Sequence, residues 1–204
     1  MATTVDDITG ASLTRWLTAA DLAFFPSNLP SGQVDYELLD GRLVMMVPPG
    51  DIHAGIQAEF ASQLVFQAKR RGLGAVRSEV GIVLRRNPDC VVGADVAYLA
   101  AASLPPRRSP EGYLETIPDM VVEIRSKNDT LAYVEHKIAD YLKAGVRLAI
   151  VVDPESKSAT LYRPNQPVVA LAETDELTCE DIIPDFRLPL ASLFADLPPA
   201  APAG

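Results

Sequence analysis

Apolar and polar residues recur along this chain with two different periods, which predict where helices and strands lie. Two short apolar runs, residues 36–39 and 42–46, are separated by Asp40-Gly41. That spacing predicts a tight β-hairpin, because both central residues of such a turn need positive φ. From Asp51, which can cap a helix, the pattern changes to one apolar residue in four and predicts a helix to about residue 71. The recurring residues are Ile52, Ile56, Phe60 and Leu64.

The remaining pattern predicts a mixed α/β domain. Strands are predicted near residues 75–79, 81–84, 94–99, 119–125, 146–152, 159–163 and 167–171, and helices over 13–25 and 131–143. Gly145 is expected to end the second long helix, and Pro26 the first short one. No internal repeat or linker divides the chain, so residues 1–196 are expected to form one domain, followed by a disordered tail at 197–204.

Composition is that of an ordinary folded protein. The chain has 204 residues, of which 48% are hydrophobic and 22% charged, which is too apolar for disorder. Apolar runs such as 148–152 are too short to cross a bilayer, and the first residues lack the apolar core of a signal peptide. Cys90 and Cys179 have no Cys or His at metal-ligand spacing, so we expect neither a zinc site nor disulfides, and a cytoplasmic location.

Charge is unevenly distributed along the chain. The formal net charge of −9 argues against coating of nucleic acid by bulk electrostatics. Residues 173–196 hold seven acids and one base, whereas residues 69–87 hold six bases and one acid. The basic segment, which includes Arg85 and Arg86, and the loop arginines Arg107 and Arg108 are candidate phosphate contacts. The alternative is that the acidic and basic segments are a pair of solvated faces with no ligand.

Two acidic residues stand inside strongly apolar predicted strands. In one strand, period two places Glu123 on the same face as Asp119 and Arg125, and Asp95 occupies a similar position in another strand. An ionised carboxylate there is costly unless it meets a cation or hydrogen-bond donors. If the strands are neighbours, Asp95 and Glu123 could share a hard cation such as Mg²⁺, which takes oxygen ligands. Each acid could instead pair with an arginine or cap a loop.

A lysine on the following helix is the next candidate. Lys137 lies at the border of the apolar stripe of the helix predicted over 131–143. A lysine there can lay its stem along the core and hold its ammonium near the sheet edge. Beside a metal site that cation would orient the attacking water or offset charge on phosphorus. Border lysines are also common as plain surface residues.

An ordered series of motifs resembles a known family. The motifs are Tyr36-Glu37-Leu38-Leu39-Asp40-Gly41 with Met45, the Pro-Pro-x-x-x-His of Pro48 to His53, Ala94-Asp95-Val96, Pro118-Asp-Met-Val-Val-Glu-Ile-x-Ser126, Lys137 with Tyr141 and Gly145-Val146, and Val152-Asp153-Pro154. Over roughly residues 12–195 this series is similar to the Uma-two family of restriction endonucleases, within the PD-(D/E)XK nuclease superfamily.

The resemblance implies a fold, a cofactor and site residues. It implies a restriction-endonuclease-like core, here with an added N-terminal helix and β-hairpin, a divalent metal (Mg²⁺, with Mn²⁺ as a substitute), a cytoplasmic location and a homodimer. Asp95 matches the first core acid and Glu123 the second, while Lys137 matches the lysine moved from the strand onto the next helix. The chain departs from the family at Ala94, which replaces a proline, and at Arg125, which stands at the superfamily's strand-lysine position and cannot easily act as a base. A third departure is Ser126-Lys127-Asn128, where the family has Ser-Pro-Ser.

The sequence leaves the roles of two more residues, Glu37 and His53, undecided. Glu37, expected opposite Val44 in the hairpin, is either a third acidic member of the site or a salt-bridge partner. His53 shares a helix face with apolar residues, so it is expected to point inward, more as a satisfied core histidine than as a ligand. His136 is expected on the solvent side, without a role.

Three classes of function are compatible with these residues to different degrees. The first is Mg²⁺-dependent hydrolysis of phosphodiester bonds in DNA, with Asp95 and Glu123 as ligands and Lys137 orienting the nucleophile. The second is a nuclease-fold binding or scaffold protein that keeps the acids without useful turnover. A small-molecule hydrolase using Ser126 or Cys90 is disfavoured, since neither a nucleophile elbow nor a Cys-His pattern is present.

Overall fold

One eight-stranded mixed sheet organises the chain, of which the computed structural model describes residues 15–107, 112–127 and 129–197. The strands of this sheet are β3 (Asp35–Leu39), β4 (Arg42–Met46), β5 (Gly74–Arg85), β6 (Cys90–Ala100), β7 (Met120–Ile124), β8 (Leu148–Asp153), β9 (Ser158–Tyr162) and β10 (Val169–Ala172). Two short strand pairs lie outside it, β1 (Asn28–Leu29) with β2 (Gly32–Gln33) and β11 (Glu176–Thr178) with β12 (Arg187–Pro189).

Two α-helices and four short 3₁₀ helices complete the described part of the fold. The α-helices are α1 (Asp51–Gln67) and α2 (Leu131–Ala144), and the 3₁₀ helices are Ala19–Phe24, Lys69–Arg71, Ala101–Ser103 and Leu190–Phe194. Within the described ranges, no helix combines the length and the apolar character that a membrane crossing requires. The mixed α+β architecture expected from the pattern is confirmed.

The sheet branches at β6, and this branch positions the site. Strand β5 pairs along one edge of β6 for nearly its whole length. The other edge is shared: Val91 pairs with Leu38 of β3, and residues 96–98 pair with β7. Between these contacts, no strand in the described part of the chain pairs with that edge of residues 92–95. The sheet therefore has an opening beside the middle of β6.

The two α-helices cover opposite faces of the sheet. Val122 packs in a cluster with Ile56 and Phe60 of α1, whereas its neighbour Val121 packs with Ile138 of α2. Successive strand residues point to opposite faces, so α1 and α2 lie on different sides. The segment from β11 to residue 194 also packs on the α1 side, and the 3₁₀ helix Ala19–Phe24 covers the hairpin.

Several predicted boundaries shift in the structure. The β3–β4 hairpin is confirmed, with positive φ at Asp40 and Gly41, and Glu37 lies opposite Val44. The expected helix over 13–25 is only the 3₁₀ turn Ala19–Phe24, although residues 1–14 lie outside the described ranges, as do 198–204 of the expected tail. The N-cap of α1 is Gly50 rather than Asp51, which is its first helical residue. The two strands expected over 75–84 form one strand, β5, in which Glu79 has φ +49°.

Candidate active site

The opening beside β6 leaves two backbone groups of Gly93 without a strand partner, and two side chains bind them. Gly93 N donates to Glu37 Oε1 at 2.7 Å, and Gly93 O accepts a hydrogen bond from Lys137 Nζ at 2.7 Å. Buried backbone groups need such partners, so Glu37 from β3 and Lys137 from α2 replace the missing strand. The pairing geometry of the sheet therefore brings an acid and a base together at one point.

Lys137 lies at the centre of this arrangement. Its ammonium is 2.9 Å from Glu123 Oε2 and 3.1 Å from Glu37 Oε1, and the residue is only 6% exposed. Burial alone would favour the neutral amine, but the carboxylates of Glu123 and Glu37 outweigh it and raise the pKa of Lys137 well above its ordinary value. Lys137 is therefore a buried, charged residue, in contrast to the surface lysine that its border position also allowed.

Glu123 is held by two residues of α2. Besides the contact with Lys137, Glu123 Oε1 accepts a hydrogen bond from the Tyr141 hydroxyl at 2.6 Å. Burial raises the pKa of Glu123 to about 8, the charge of Asp95 adds to the increase, and Lys137 and Tyr141 oppose it. The carboxyl of Glu123 therefore tends to hold a proton, although Lys137 is close by. A metal cation bound there would displace that proton.

Asp95 stands next to Glu123 on the neighbouring strand. Val96 pairs with Val122 at the end of the antiparallel ladder between β6 and β7, and Asp95 and Glu123 are the residues next to this last pair. Asp95 Oδ2 accepts hydrogen bonds from Ile124 N at 2.6 Å and makes an ion-pair contact with His53 Nε2 at 3.1 Å. The prediction that the two acid-bearing strands are neighbours is confirmed.

The alternation of β6 breaks at Asp95. Val92, Ala94 and Ala97 pack on the α2 side, whereas Val96 packs on the α1 side, so the phase changes between residues 94 and 97. On the paired strand β5, Glu79 has a positive φ and lies beside Asp95, because its neighbours Ser78 and Val80 pair with Val96 and Ala94. This irregularity lets Asp95 contact His53 from α1 on one side and β7 on the other.

His53 is buried and only partly satisfied. It is 8% exposed; Nε2 contacts Asp95, but Nδ1 is a buried nitrogen without a hydrogen-bond partner among the described residues. Burial lowers the pKa of His53, but the hydrogen bond and charge of Asp95 outweigh it, so the pKa is raised overall. The expected inward direction is confirmed, whereas full hydrogen bonding of a core histidine is not observed.

Three residues of the site were not assigned a role from the sequence. Tyr133 donates to Glu37 Oε2 at 2.5 Å, Tyr141 donates to Glu123, and Gln57 donates to the backbone oxygen of Asp95 at 3.1 Å. Tyr133, Lys137 and Tyr141 are four residues apart, so they form one stripe on α2. That spacing is the signal that could have linked them.

The arginines predicted for the site lie in different places. Arg125 lines the cleft, but its partner is Asp153 at 2.5 Å rather than Glu123, and its Nε is buried without a hydrogen bond to any described residue. Arg85 pairs with Asp40, and Arg86 pairs with Asp89 and Glu115. Neither lines the cleft, so the structure does not bring them to Asp95. Arg107 is exposed, and Arg108 lies outside the described residues.

The other expected assignments concern Cys90 and His136. Cys90 is buried, and burial, with the nearby charge of Asp140, raises the pKa of its thiol to about 12. Because the thiolate is the nucleophile, this residue is unsuited to covalent catalysis. His136 is half-exposed and contacts Asp140 at 3.4 Å, in agreement with its expected position on the solvent side.

A cleft of about 870 Å³ contains this cluster. Strands β5 and β6 contribute to its lining, together with the first turns of α1 and the segment from residue 22 to β3. Its charged lining has six acids and two bases besides His53: Asp35, Glu37, Glu79, Asp95, Glu123 and Asp129 against Arg125 and Lys137. The surface around Asp95 is therefore acidic, which favours a cation over an uncompensated phosphate.

Asp95 and Glu123 supply carboxylate oxygens, the kind of ligand that Mg²⁺ takes. In the parts of the chain that the structure describes, no three His, Cys, Asp or Glu side chains are grouped closely enough to enclose a metal. Mg²⁺ needs only one or two protein carboxylates, because it keeps several of its waters. The charge of Asp95 raises the pKa of Glu123, and a shared cation would remove that repulsion.

Comparison with known proteins identifies the family of the chain. The sequence profile of the Uma2 family, described as "Putative restriction endonuclease", matches residues 24–191. A search of curated proteins finds no match. Among solved structures, a protein of Anabaena variabilis described as a "putative nuclease belonging to DUF820" has a TM-score of 0.73; it is 20% identical and the match covers 88% of this chain and 98% of that one. At that identity the likeness shows the shared fold. The family match spans most of the chain, which therefore belongs to the Uma2 family.

Proposed function

We propose that this protein is a divalent-metal-dependent endonuclease that hydrolyses phosphodiester bonds in DNA. Membership of the Uma2 family supports a nuclease, and the proposal depends on one observation in particular. The buried Lys137 ammonium contacts Glu123, and Glu123 and Asp95, on neighbouring strands, both line an open cleft. Two carboxylates beside a fixed cation are the groups that metal-assisted phosphodiester hydrolysis requires.

Each residue has a proposed role. Asp95 and Glu123 would hold Mg²⁺, with Mn²⁺ as a substitute. When bound, the ion would offset charge on the phosphate and lower the pKa of a water. The Ile124 amide and His53 fix one oxygen of Asp95 through contacts of 2.6 and 3.1 Å. Asp95 therefore needs little reorganisation to bind a cation.

Lys137 is the proposed catalytic cation. Gly93 O and the carboxylates of Glu37 and Glu123 hold its ammonium from three directions. A donor fixed in this way can orient the attacking water and offset the charge that develops on phosphorus. Glu37 is proposed to keep Lys137 in place, and Tyr133 and Gly93 N hold Glu37 in turn.

Arg125 has a secondary proposed role. It lines the cleft and is held by Asp153, so its guanidinium can stabilise a bound phosphate. It remains protonated and cannot easily remove a proton from water. The resemblance further supports a homodimer in the cytoplasm, which sedimentation and fractionation would test.

One observation favours the alternative of a binding or scaffold protein without useful turnover. Both oxygens of Glu123 already accept hydrogen bonds, from Tyr141 and Lys137. A metal must compete with these contacts, and weak competition would leave the site inactive.

A hydrolysis assay separates the two functions. Purified wild type should cleave DNA, supplied both as plasmid and as single-stranded circles, in Mg²⁺ or Mn²⁺, and EDTA should stop the reaction. Asp95→Asn and Glu123→Gln should lose at least about a hundredfold in rate, as expected when a metal ligand is removed. Glu176→Gln, at an exposed position of strand β11, is the matched control and should keep full activity. Absence of cleavage with any divalent metal would favour the scaffold function.

A further inference from the structure

Three aromatic residues line the cleft and have no role in the proposed hydrolysis. Phe25, Tyr36 and Tyr113, here called the aromatic wall, are each half-buried and border the same cleft as Asp95 and Glu123. The ring centroids of Phe25 and Tyr36 are 5.4 Å apart. The wall therefore borders the cavity that holds the carboxylates, and its side chains also pack against the buried cluster that includes Leu22, Leu38 and Val91.

Two contacts fix the rings of the wall. The Tyr36 hydroxyl donates to the backbone oxygen of Pro26 at 2.7 Å. Tyr113 lies against Gly81 so closely that a Cβ at Gly81 would be 2.5 Å from the Tyr113 ring. Only a residue without a side chain leaves room for that ring against β5. The local sequence thus allows an aromatic ring to lie directly on the backbone at the edge of the cleft.

The acidic lining restricts the kind of nucleic acid that can enter. Six carboxylates against two bases repel a dense row of phosphates. Single-stranded DNA has fewer charges per unit length than the duplex, so the repulsion is smaller. A cavity of about 870 Å³ is also of the size that encloses a ligand comparable to a nucleotide, rather than a double helix.

Aromatic side chains reach the face of a base only when that base is unstacked. In a duplex the faces are covered by neighbouring base pairs, whereas in a single strand they can stack on tyrosine and phenylalanine. We propose that the aromatic wall binds an unpaired nucleobase beside the scissile phosphate, so that the substrate is single-stranded DNA. This inference rests on the proposed function for the identity of the carboxylate site.

Binding, rather than cleavage, tests the inference. The probe is a fluorescein-labelled oligothymidylate, alone or annealed to oligoadenylate, and its anisotropy is measured in Ca²⁺, which also takes carboxylate oxygens. The single strand should bind at least about ten times more tightly than the duplex, and Tyr113→Leu should weaken single-strand binding about tenfold. Tyr113→Phe should keep it, because a ring remains. Phe66→Leu, an exposed aromatic outside the cleft, is the matched control and should have no effect.

A second readout uses the unaltered protein, in case a substitution prevents folding. Irradiation of an oligothymidylate carrying 5-iodouracil should crosslink to Phe25, Tyr36 or Tyr113, located by mass spectrometry. Equal affinity for duplex and single strand, or crosslinks only outside the cleft, would overturn the inference. Failure of the proposed function would appear differently, as normal single-strand binding without hydrolysis in any metal.

Discussion

At the scale of single residues, Lys137 shows how local pattern and tertiary pairing differ. Its helix position indicates only the border of an apolar stripe, which suits both an exposed and a buried lysine. In the structure Lys137 is buried, because Gly93 O has no strand partner at the opening beside β6 and Lys137 donates a hydrogen bond to it. Strand pairing of residues far apart in the chain is not visible in the helix sequence. The same holds for Glu37, whose position in the hairpin was predicted but whose contact with Lys137 was not.

Replacing Lys137 by methionine should have two separate effects. Without metal, the free energy of unfolding should fall by about 3–5 kcal/mol, because Glu37 and Glu123 lose the cation between them. Hydrolysis should be abolished, whereas metal affinity should not fall, because a metal no longer competes with Lys137 for Glu123. Urea denaturation in EDTA and calorimetric titration of Mn²⁺ measure the two effects.

Arg125→Ala is the comparison for that variant. Arg125 pairs with Asp153 and not with Glu123, so its loss should reduce activity less than the loss of Lys137. An inactive Arg125→Ala together with an active Lys137→Met would assign the catalytic cation to Arg125 instead.

His53 should make the stability of the metal-free protein depend on pH. Its pKa in the folded state is raised, since Asp95 outweighs the effect of burial. The stabilisation from its protonated form is therefore complete below the unfolded pKa of about 6.5, and is lost as pH rises through the raised folded pKa. His53→Gln should accordingly cost most stability near pH 5.5 and less at pH 9, as measured by urea denaturation in EDTA. A difference that grows with pH would contradict this ionisation.

At the scale of elements, the sequence predicts regular segments well and irregular ones poorly. The turn at Asp40-Gly41 and the end of α2 at Gly145 are as expected, because positive φ at these positions has a clear residue preference. The change of phase in β6 at Asp95 could not be foreseen, since alternation is a property of ideal strands. A solvated face is one of the interpretations that the sequence of the acidic segment 173–196 allows, yet in the structure this segment contributes Leu177, Phe186 and Leu188 to the core.

Phe186 provides a test of that C-terminal contribution. It is fully buried in the cluster that α1 forms with the sheet. Phe186→Ala should lower the free energy of unfolding by about 3–5 kcal/mol, through lost burial and the cavity left behind. Phe66→Ala, which removes an exposed ring of α1, should change it far less. Similar small losses in both variants would show that the segment does not belong to the cooperative core.

At the scale of the whole molecule, charge separates the cleft from the basic surface. The net charge is −9, and the cleft itself is acidic. The six bases of residues 69–87 are distributed away from the cleft, and Arg71, Arg85 and Arg86 are paired with acids. Binding of a phosphate at Asp95 would consequently depend on a bound cation more than on steering by the protein's own basic residues.

Arg107 is the basic residue best suited to contact phosphates outside the cleft. It is exposed and makes no ion pair with a described residue, unlike Arg85 and Arg86. Arg107→Ala should reduce the slope of log K against log salt by about one, and the double variant Arg85→Ala/Arg86→Ala should reduce it less. The measurement is the DNA-binding constant at salt concentrations from about 50 to about 200 mM. An unchanged slope in Arg107→Ala would exclude that loop from the binding surface.

Calorimetric titration of Mn²⁺ tests most directly whether Asp95 and Glu123 together bind one divalent metal ion. Wild type should bind one ion per chain and gain thermal stability with increasing Mn²⁺, because the ion binds only the folded state. Asp95→Asn and Glu123→Gln should each weaken binding at least about tenfold. Glu176→Gln should bind as wild type does. Equal Mn²⁺ affinity in all four proteins, or no binding to any of them, would contradict a metal site at these two carboxylates.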